Sequence, residues 1–159
     1  MFEDPAEKNT QTLACPVGGR AFSLDEVADP VFSGRMMGEG VAIDPDPSCH
    51  VAVAPCAGVV SAVASHAVGL MSPSGVEVLV HVGLDTFSLG DDALSALVEE
   101  GASVAGGQPL VAFDRAAIEA AGLDPTVILV VTNTAEPTGV TAVAEGDVRA
   151  GEAAVEIVR

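Results

Sequence analysis

The chain has 159 residues, of which 49% are hydrophobic but only 3% aromatic, and its 23 acidic residues against six lysines and arginines give a net charge of −17 at pH 7. This length fits one compact domain, and a supply of small apolar residues favours many short strands over a helix bundle. The charge argues against nucleic-acid binding, which needs cationic groups on the phosphates, and agrees with the acidic surfaces of proteins adapted to high salt.

The N-terminal residues 1–12, MFEDPAEKNTQT, are polar and predict a flexible tail ahead of one domain spanning residues 13–159. The tail is acidic where a secretory signal is basic, and it has no apolar stripe, so we expect neither a signal peptide nor a membrane anchor. Cys15, Cys49 and Cys56 form no Cys-x-x-Cys motif, which predicts free thiols in a reducing compartment and hence a cytoplasmic protein.

Glycines and prolines that form turns recur every several residues and predict an all-β domain. The predicted strands are Gly40–Ile43, His50–Ala54, Val59–Ala64, Val68–Met71, Val76–Val82, Leu110–Phe113, Val127–Thr132 and Ala154–Val158. Within Val76–Val82, the valines at even positions share one face of the strand, whereas Glu77, Leu79 and His81 share the other.

Two short helices are predicted between these strands. The first covers Asp91–Glu100, which has acidic residues at its start and a glycine after its end. The second covers Arg115–Ala121, with Asp114 as N-cap and Gly122 just beyond the C-cap.

The chain also repeats itself. Pro16-x-x-Gly19 is echoed by Pro55-x-x-Gly58, and the segment Glu100–Phe113 (EGASVAGGQPLVAF) is echoed by Glu145–Ile157 (EGDVRAGEAAVEI). Two related strand-turn-strand units predict an internally duplicated sandwich or barrel.

Histidine is the best candidate nucleophile, because the chain has no tyrosine and its one lysine, Lys8, lies in the tail. His50 enters a predicted strand from a loop and has no functional signal. His66 lies in an apolar segment, where a buried imidazole needs a hydrogen-bond partner. His81 lies near the end of a predicted strand. One strand-turn-strand passage separates His66 from His81, and placing them side by side suits either a phosphoryl site or a zinc site.

Five segments resemble the glucose-type IIA domains of the phosphoenolpyruvate:sugar phosphotransferase system, over about Leu13 to Arg159. The matching segments are Ala28–Pro45 (ADPVFSGRMMGEGVAIDP), Val53–Val63 (VAPCAGVVSAV), the SHA around His66, Ser74–Thr86 (SGVEVLVHVGLDT) and Val130–Asn133 (VVTN). The resemblance implies an antiparallel β-sandwich of the duplicated hybrid-motif type, with one or two short helices.

The resemblance also implies the function and its residues. His81 would carry the phosphoryl group as the nucleophile, and His66, the auxiliary histidine, would hydrogen-bond that group. The donor would be the histidine phosphocarrier protein HPr and the acceptor a IIB domain of a sugar permease.

By the same resemblance, an apolar depression ringed by acidic residues would bind these partners. Its residues would be Asp29, Phe32, Met36, Met37, Leu79, Asp85 and Phe87. For Phe32 and one methionine, the alternative is packing in the core. Family members often have a longer segment, which includes a threonine, ahead of the auxiliary histidine. In this chain the stretch from Gly58 to His66 is shorter, and Ala64 takes the place of that threonine.

Alternative functions remain open at this point. A module of the same family could regulate metabolic enzymes or transporters through its phosphorylation state. A zinc peptidase of similar architecture would need a His-x-His pair, but Val82 and Gly83 follow His81. A lipoyl or biotinyl carrier needs a lysine at a hairpin tip, which the chain lacks. We expect no cofactor and no intrinsic metal, although His66 and His81 could share zinc with a partner's carboxylate.

Overall fold

The computed structural model describes residues 10–90, 92–132 and 139–158. Within these ranges the chain forms fourteen strands, two α-helices and two single turns of 3-10 helix. The strands are β1 Thr10–Ala14, β2 Gly19–Phe22, β3 Glu39–Pro45, β4 Val51–Val53, β5 Gly58–Ala64, β6 Ala67–Met71, β7 Glu77–Val82, β8 Leu94–Ala96, β9 Ser103–Val104, β10 Pro109–Phe113, β11 Val127–Val131, β12 Gly139–Ala142, β13 Gly146–Val148 and β14 Ala153–Val158. The helices are α1 Pro30–Ser33 and α2 Arg115–Ala120, and the 3-10 turns are Leu24–Glu26 and Thr86–Ser88.

Three antiparallel sheets arrange these strands with an internal symmetry. The large sheet has the order β13-β2-β3-β11-β7-β6-β5-β9, and the two small sheets have the orders β1-β14-β12 and β4-β10-β8. The strands form two matching sets of seven: β1, β2, β3, β11, β12, β13 and β14 correspond to β4, β5, β6, β7, β8, β9 and β10 in that order. The predicted all-β sandwich with an internal duplication is therefore confirmed, and the sequence echoes mark the β2–β13 and β5–β9 pairs.

The core lies between the large sheet and the two small ones. The even valines of β7, Val78, Val80 and Val82, are fully buried in this core together with Leu129 of β11. A second, smaller cluster covers the opposite face of the large sheet and contains Leu24, Val27, Phe32, Ala42, Leu84, Ile128 and Val130. Because apolar groups cover both faces of β11, all five of its residues are buried. His81 and Leu79 point toward the second cluster, as the alternation in β7 predicts.

All eight predicted strands are confirmed, each within one or two residues of its predicted ends. The structure adds six more strands, β1, β2, β8, β9, β12 and β13, which have two to five residues each. Their burial is partial and their sequences are rich in glycine or polar residues, so they carry little hydrophobic periodicity.

The predicted helix over Asp91–Glu100 is wrong. Residues 94–96 form β8, which pairs with Val111–Phe113 of β10, while Asp91 itself lies outside the described residues. Pairing with a strand distant in sequence has overridden a weak local helical preference. The predicted second helix is confirmed as α2, because the Asp114 carboxylate accepts a hydrogen bond from the Ala117 N–H at 3.2 Å and Gly122 has φ +79°.

The predicted N-terminal tail includes three residues that belong to the folded domain. Residues Thr10–Thr12 belong to β1 and pair with Glu156–Val158 of β14, whereas residues 1–9 lie outside the described residues. Alternating polar and apolar residues in so short a strand resemble a frayed terminus until the partner strand is known. The longest described helix has six residues, and no helix in the described ranges is long and apolar enough to cross a membrane.

Candidate functional site

Two histidines face each other on the large sheet, as the strand-turn-strand argument predicts. His81 lies near the end of β7, and His66 is the second residue of the two-residue turn, Ser65–His66, that joins β5 to β6. Ala67 pairs with His81, and the Val82 N–H donates to the His66 carbonyl at 2.7 Å. The imidazole rings are 4.8 Å apart between centroids and inclined by 80°. Strand pairing therefore brings the two rings into edge contact.

Packing restrains the His81 ring from its other side. The buried Phe32 ring lies 5.0 Å from it between centroids, at an interplanar angle of 62°. The Nδ1 atom of His81 is buried and has no well-formed hydrogen bond among the described residues, while the Gly83 backbone acts on the ring as a hydrogen-bonding group. His81 as a residue is only partly buried, so its accessible part lies away from Nδ1.

The surroundings of the two histidines favour neutral imidazoles. Burial, with a smaller contribution from the charge of His66, lowers the pKa of His81 to about 4, against the opposing effects of Gly83, Asp29 and Asp85. Burial also lowers the pKa of His66. Both rings are therefore uncharged at neutral pH and keep a free lone pair for nucleophilic attack.

This pKa shift predicts a pH-dependent stability. Between pH 6.5 and the folded pKa of about 4, the unfolded chain binds a proton at His81 that the folded chain does not, so stability falls as the pH falls. We expect the free energy of unfolding of the wild type to drop about 2 kcal/mol more than that of His81→Gln between pH 7 and about pH 5. Urea unfolding at both pH values measures this difference, and equal losses in the two proteins would contradict it.

A strained loop follows His81 and carries a carboxylate. Gly83 has φ +77° and Asp85 has φ +59°, which is the left-handed region that non-glycine residues seldom adopt. The segment leading into β11 holds this loop from outside, since the Gly83 N–H donates to the Thr126 carbonyl at 2.8 Å and the Leu84 N–H to the Asp124 carbonyl at 2.9 Å. The exposed Asp85 is thereby kept at the rim of the histidine pair, where its charge acts on His81.

Besides Asp85, four of the predicted partner contacts lie near or at the surface. Asp29 is the N-cap of α1, accepting from the Val31 N–H at 2.9 Å, and its charge also acts on His81. Met36 is 76% exposed and Phe87 is 70% exposed, while Met37 lies at the border of exposure. Exposed apolar side chains together with carboxylates therefore occur on the segments next to the histidine pair.

Two of the predicted contacts pack in or against the second cluster. Phe32 takes the alternative placement in the core: it is only 4% exposed because it packs in the second cluster and against the His81 ring, and so it supports the histidine from inside. Leu79 is half-buried and packs against the same cluster. Ala64 ends β5 and is exposed.

The remaining histidine is not part of this site. His50 is exposed and precedes β4 in one of the small sheets. Among residues 10–90, 92–132 and 139–158, no group of three or more histidine, cysteine or acidic side chains is arranged to hold a metal ion. His66 and His81 offer two imidazoles, which is half of the ligand set that zinc takes in proteins.

Sequence reasoning assigned no role to Thr86, although it is fully buried beside the loop after His81. Its hydroxyl donates to the Val82 carbonyl at 2.6 Å. The sequence shows only that a threonine follows Asp85 shortly after the strand that carries His81. Which backbone group its hydroxyl binds becomes clear only from the folded loop.

Comparisons with known proteins agree with this geometry. Residues 11–137 match the family model described as phosphoenolpyruvate-dependent sugar phosphotransferase system, EIIA 1. A glucose-specific EIIA component from Bacillus cereus is 38% identical over 136 residues, which cover 84% of this chain and 81% of that protein. A beta-glucoside-specific EIIBCA component from Bacillus subtilis is 41% identical over 130 residues, which cover 80% of this chain but 21% of that protein.

A solved structure extends the agreement to the whole fold. The glucose permease IIA from Mycoplasma capricolum superposes with a TM-score of 0.79 at 29% identity, covering 98% of this chain and 99% of that one. The family match, the relatives and the shared β-sandwich converge. This chain belongs to the EIIA 1 family of the phosphoenolpyruvate-dependent sugar phosphotransferase system, whose members are components that mediate phosphoryl transfer.

Proposed function

We propose that this protein is a cytoplasmic phosphocarrier that accepts a phosphoryl group on His81 from the histidine phosphocarrier protein HPr and passes it to a IIB domain. The observation that carries the proposal is the partly buried, neutral His81, whose ring is held between His66 and Phe32. The relative from Bacillus subtilis is a fused EIIBCA protein, which supports a IIB domain as the acceptor.

The burial of the Nδ1 atom supports Nε2 as the attacking nitrogen. In the tautomer that keeps a hydrogen on Nδ1 and directs it to the Gly83 carbonyl, the lone pair is on Nε2. Nε2 then attacks the phosphorus in line, a new N–P bond forms, and the bond from phosphorus to the donor's histidine breaks with its electron pair returning to that ring. The ring of His81 becomes cationic, and the Gly83 carbonyl together with the charges of Asp29 and Asp85 stabilises it.

His66 has a complementary role in this scheme. Its ring edge meets His81 at 4.8 Å between centroids, within reach of a group bound to Nε2. An N–H of His66 donates to a phosphoryl oxygen, a charge-assisted hydrogen bond of about 1.5–3 kcal/mol. Since little covalent chemistry is required of the protein, such positioning supplies most of the rate.

The surface around the histidines fits basic partners. Asp29 and Asp85 act on His81 through their charges, and the whole chain carries a net charge of −17. These charges attract a cationic partner face and speed its encounter, and this effect weakens as salt is added. The exposed Met36 and Phe87 then supply the apolar contacts that hold the complex together.

We expect substitutions on this surface to weaken binding of the partner without slowing the phosphoryl transfer step. Met36→Ala and Phe87→Ala each remove an exposed apolar contact without touching His81, so we expect KM for phosphorylated HPr to rise about tenfold with kcat nearly unchanged. Steady-state transfer assays measure both constants. Leu97→Ala is the matched control, since Leu97 is 48% exposed but follows β8 in a small sheet. An equal rise in KM for Leu97→Ala would contradict the assignment of this surface.

Zinc fits the site only with help from a partner. The two imidazoles would be two of its ligands, and a carboxylate of a bound partner would have to supply a third. Zinc bound there would occupy the lone pair of His81 that the transfer uses, and no step of the proposed reaction runs through it.

The test of the proposed function is a reconstituted phosphorylation. The protein is incubated with phosphoenolpyruvate, enzyme I and HPr, and its intact mass is measured before and after acid treatment. We expect a gain of one phosphoryl group that acid removes, and its loss on addition of a IIB domain. No gain with the cognate HPr would overturn the phosphocarrier proposal and favour a regulatory binding module with the same fold.

A further inference from the structure

Thr86 is a fully buried polar residue five positions after His81. Its relative exposure is 0%, and its hydroxyl donates to the carbonyl of Val82 at 2.6 Å. Val82 is the last residue of β7, so this hydroxyl bonds to the strand end at the point where the strained loop begins. A buried hydroxyl on a single, short hydrogen bond holds its acceptor firmly.

The Val82 peptide connects this hydroxyl to both histidines. Val82 directly follows His81, and its own N–H donates to the His66 carbonyl at 2.7 Å. The chain of contacts therefore runs from Thr86 through Val82 to the backbone of His66 and, through the covalent bond, to His81. Movement of the Val82 carbonyl would shift both partners of the ring pair.

The methyl group of Thr86 acts on the same loop. A Cβ atom placed on Gly83 would lie 2.3 Å from the Thr86 Cγ2 atom, so this methyl packs directly against the Gly83 backbone. Gly83 and Asp85 both have positive φ, and such a conformation persists only where the surroundings enforce it. Thr86 supplies that restraint from inside the loop, as the Thr126 and Asp124 carbonyls do from outside.

We propose that Thr86 is a positioning residue for phosphoryl transfer, whose hydroxyl fixes the Val82 carbonyl and so sets where the Gly83 backbone lies relative to the His81 ring. This restraint favours the tautomer in which Nε2 is free to attack. This inference rests on the proposed function for its consequence in catalysis. Its structural part, control of the His81 tautomer, is measured on the protein alone.

The experiment compares Thr86→Ser with Thr86→Ala, because both lack the methyl group and differ only in the hydroxyl. Nitrogen chemical shifts of 15N-labelled histidine report the tautomer of His81 at neutral pH, and rapid mixing with phosphorylated HPr gives kcat and KM. We expect one Nδ1–H tautomer in the wild type and in Thr86→Ser. In Thr86→Ala we expect a mixture of tautomers and a kcat about tenfold below that of Thr86→Ser, with KM unchanged.

Ser72→Ala is the matched control for loss of a buried hydroxyl. The Ser72 hydroxyl accepts from the Val76 N–H at 3.1 Å in the turn that joins β6 to β7, and the residue is 3% exposed. We expect this variant to lose stability and to keep the single tautomer. The same tautomer and kcat in Thr86→Ala as in Thr86→Ser would overturn the inference, as would mixing in Ser72→Ala. If the wild type accepts no phosphoryl group, the proposed function fails, whereas the tautomer comparison still decides the positioning role.

Discussion

Replacing His81 with alanine should abolish phosphorylation of this protein. The substitution removes the partly buried imidazole on which we propose that the phosphoryl group is carried, and the enclosure by Phe32 and His66 is built around that ring. In the mass measurement with phosphoenolpyruvate, enzyme I and HPr, we expect no acid-labile gain for His81→Ala. The chain contains three histidines, so the other two provide matched controls.

The two controls have different expected results. His66→Ala keeps the nucleophile but loses a hydrogen bond to the phosphoryl group, so we expect full phosphorylation with transfer to the IIB domain slowed roughly 10- to 100-fold. His50→Ala should behave as the wild type, because His50 is exposed beside a small sheet. An acid-labile phosphoryl group on His81→Ala, or its absence from His66→Ala, would contradict the roles assigned to the two histidines.

Replacing Gly40 with alanine should cause the largest loss of stability among conservative substitutions in the large sheet. Gly40 is a buried residue of β3 opposite Val130 of β11. A Cβ atom at this position would lie 1.8 Å from the Leu129 carbonyl oxygen and 2.8 Å from the Val130 Cα atom. Backbone atoms cannot rotate away, so the neighbouring strands β3 and β11 must separate, and we expect a loss of about 4 kcal/mol or more.

The matched control for this prediction is Gly90→Ala. An added Cβ at Gly90 would meet no atom within 4 Å, and its φ is not positive. We therefore expect a change within about 0.5 kcal/mol, as for other surface substitutions. Urea unfolding of both variants gives the comparison. Similar stabilities for the two variants would mean that β3 and β11 accommodate the methyl group, against the contact geometry.

The placement of the two histidines is a part of the site that local sequence patterns predicted. Alternation in Val76–Val82 predicted that His81 faces away from the valine core, and β7 has this alternation. The short hairpin predicted that His66 returns to His81, and the rings meet at 4.8 Å. Both predictions depend only on the period of a strand and the length of one connection, which nearby residues encode.

Other parts of the site depend on residues far apart in the chain. The sequence left Phe32 open between a partner contact and packing in the core; it is buried, because Leu84 and Ile128, from two other segments, complete the cluster around it. The bond from Thr86 to Val82 likewise exists only because a left-handed Asp85 turns the loop back on the strand. No periodicity in the local sequence encodes these contacts.

The sequence by itself determined eight of the fourteen described strands, the helix between Asp114 and Gly122, the internal duplication and the two histidines that face each other. These features follow from hydrophobic alternation, capping residues and repeated motifs, which act over a few neighbouring residues. Only the tertiary structure decided that residues 94–96 form a strand, that Thr10–Thr12 join the sandwich and that Phe32 supports His81 from inside. Edge strands and buried contacts of this kind gain their stability from partners distant in sequence, so local preference does not select them.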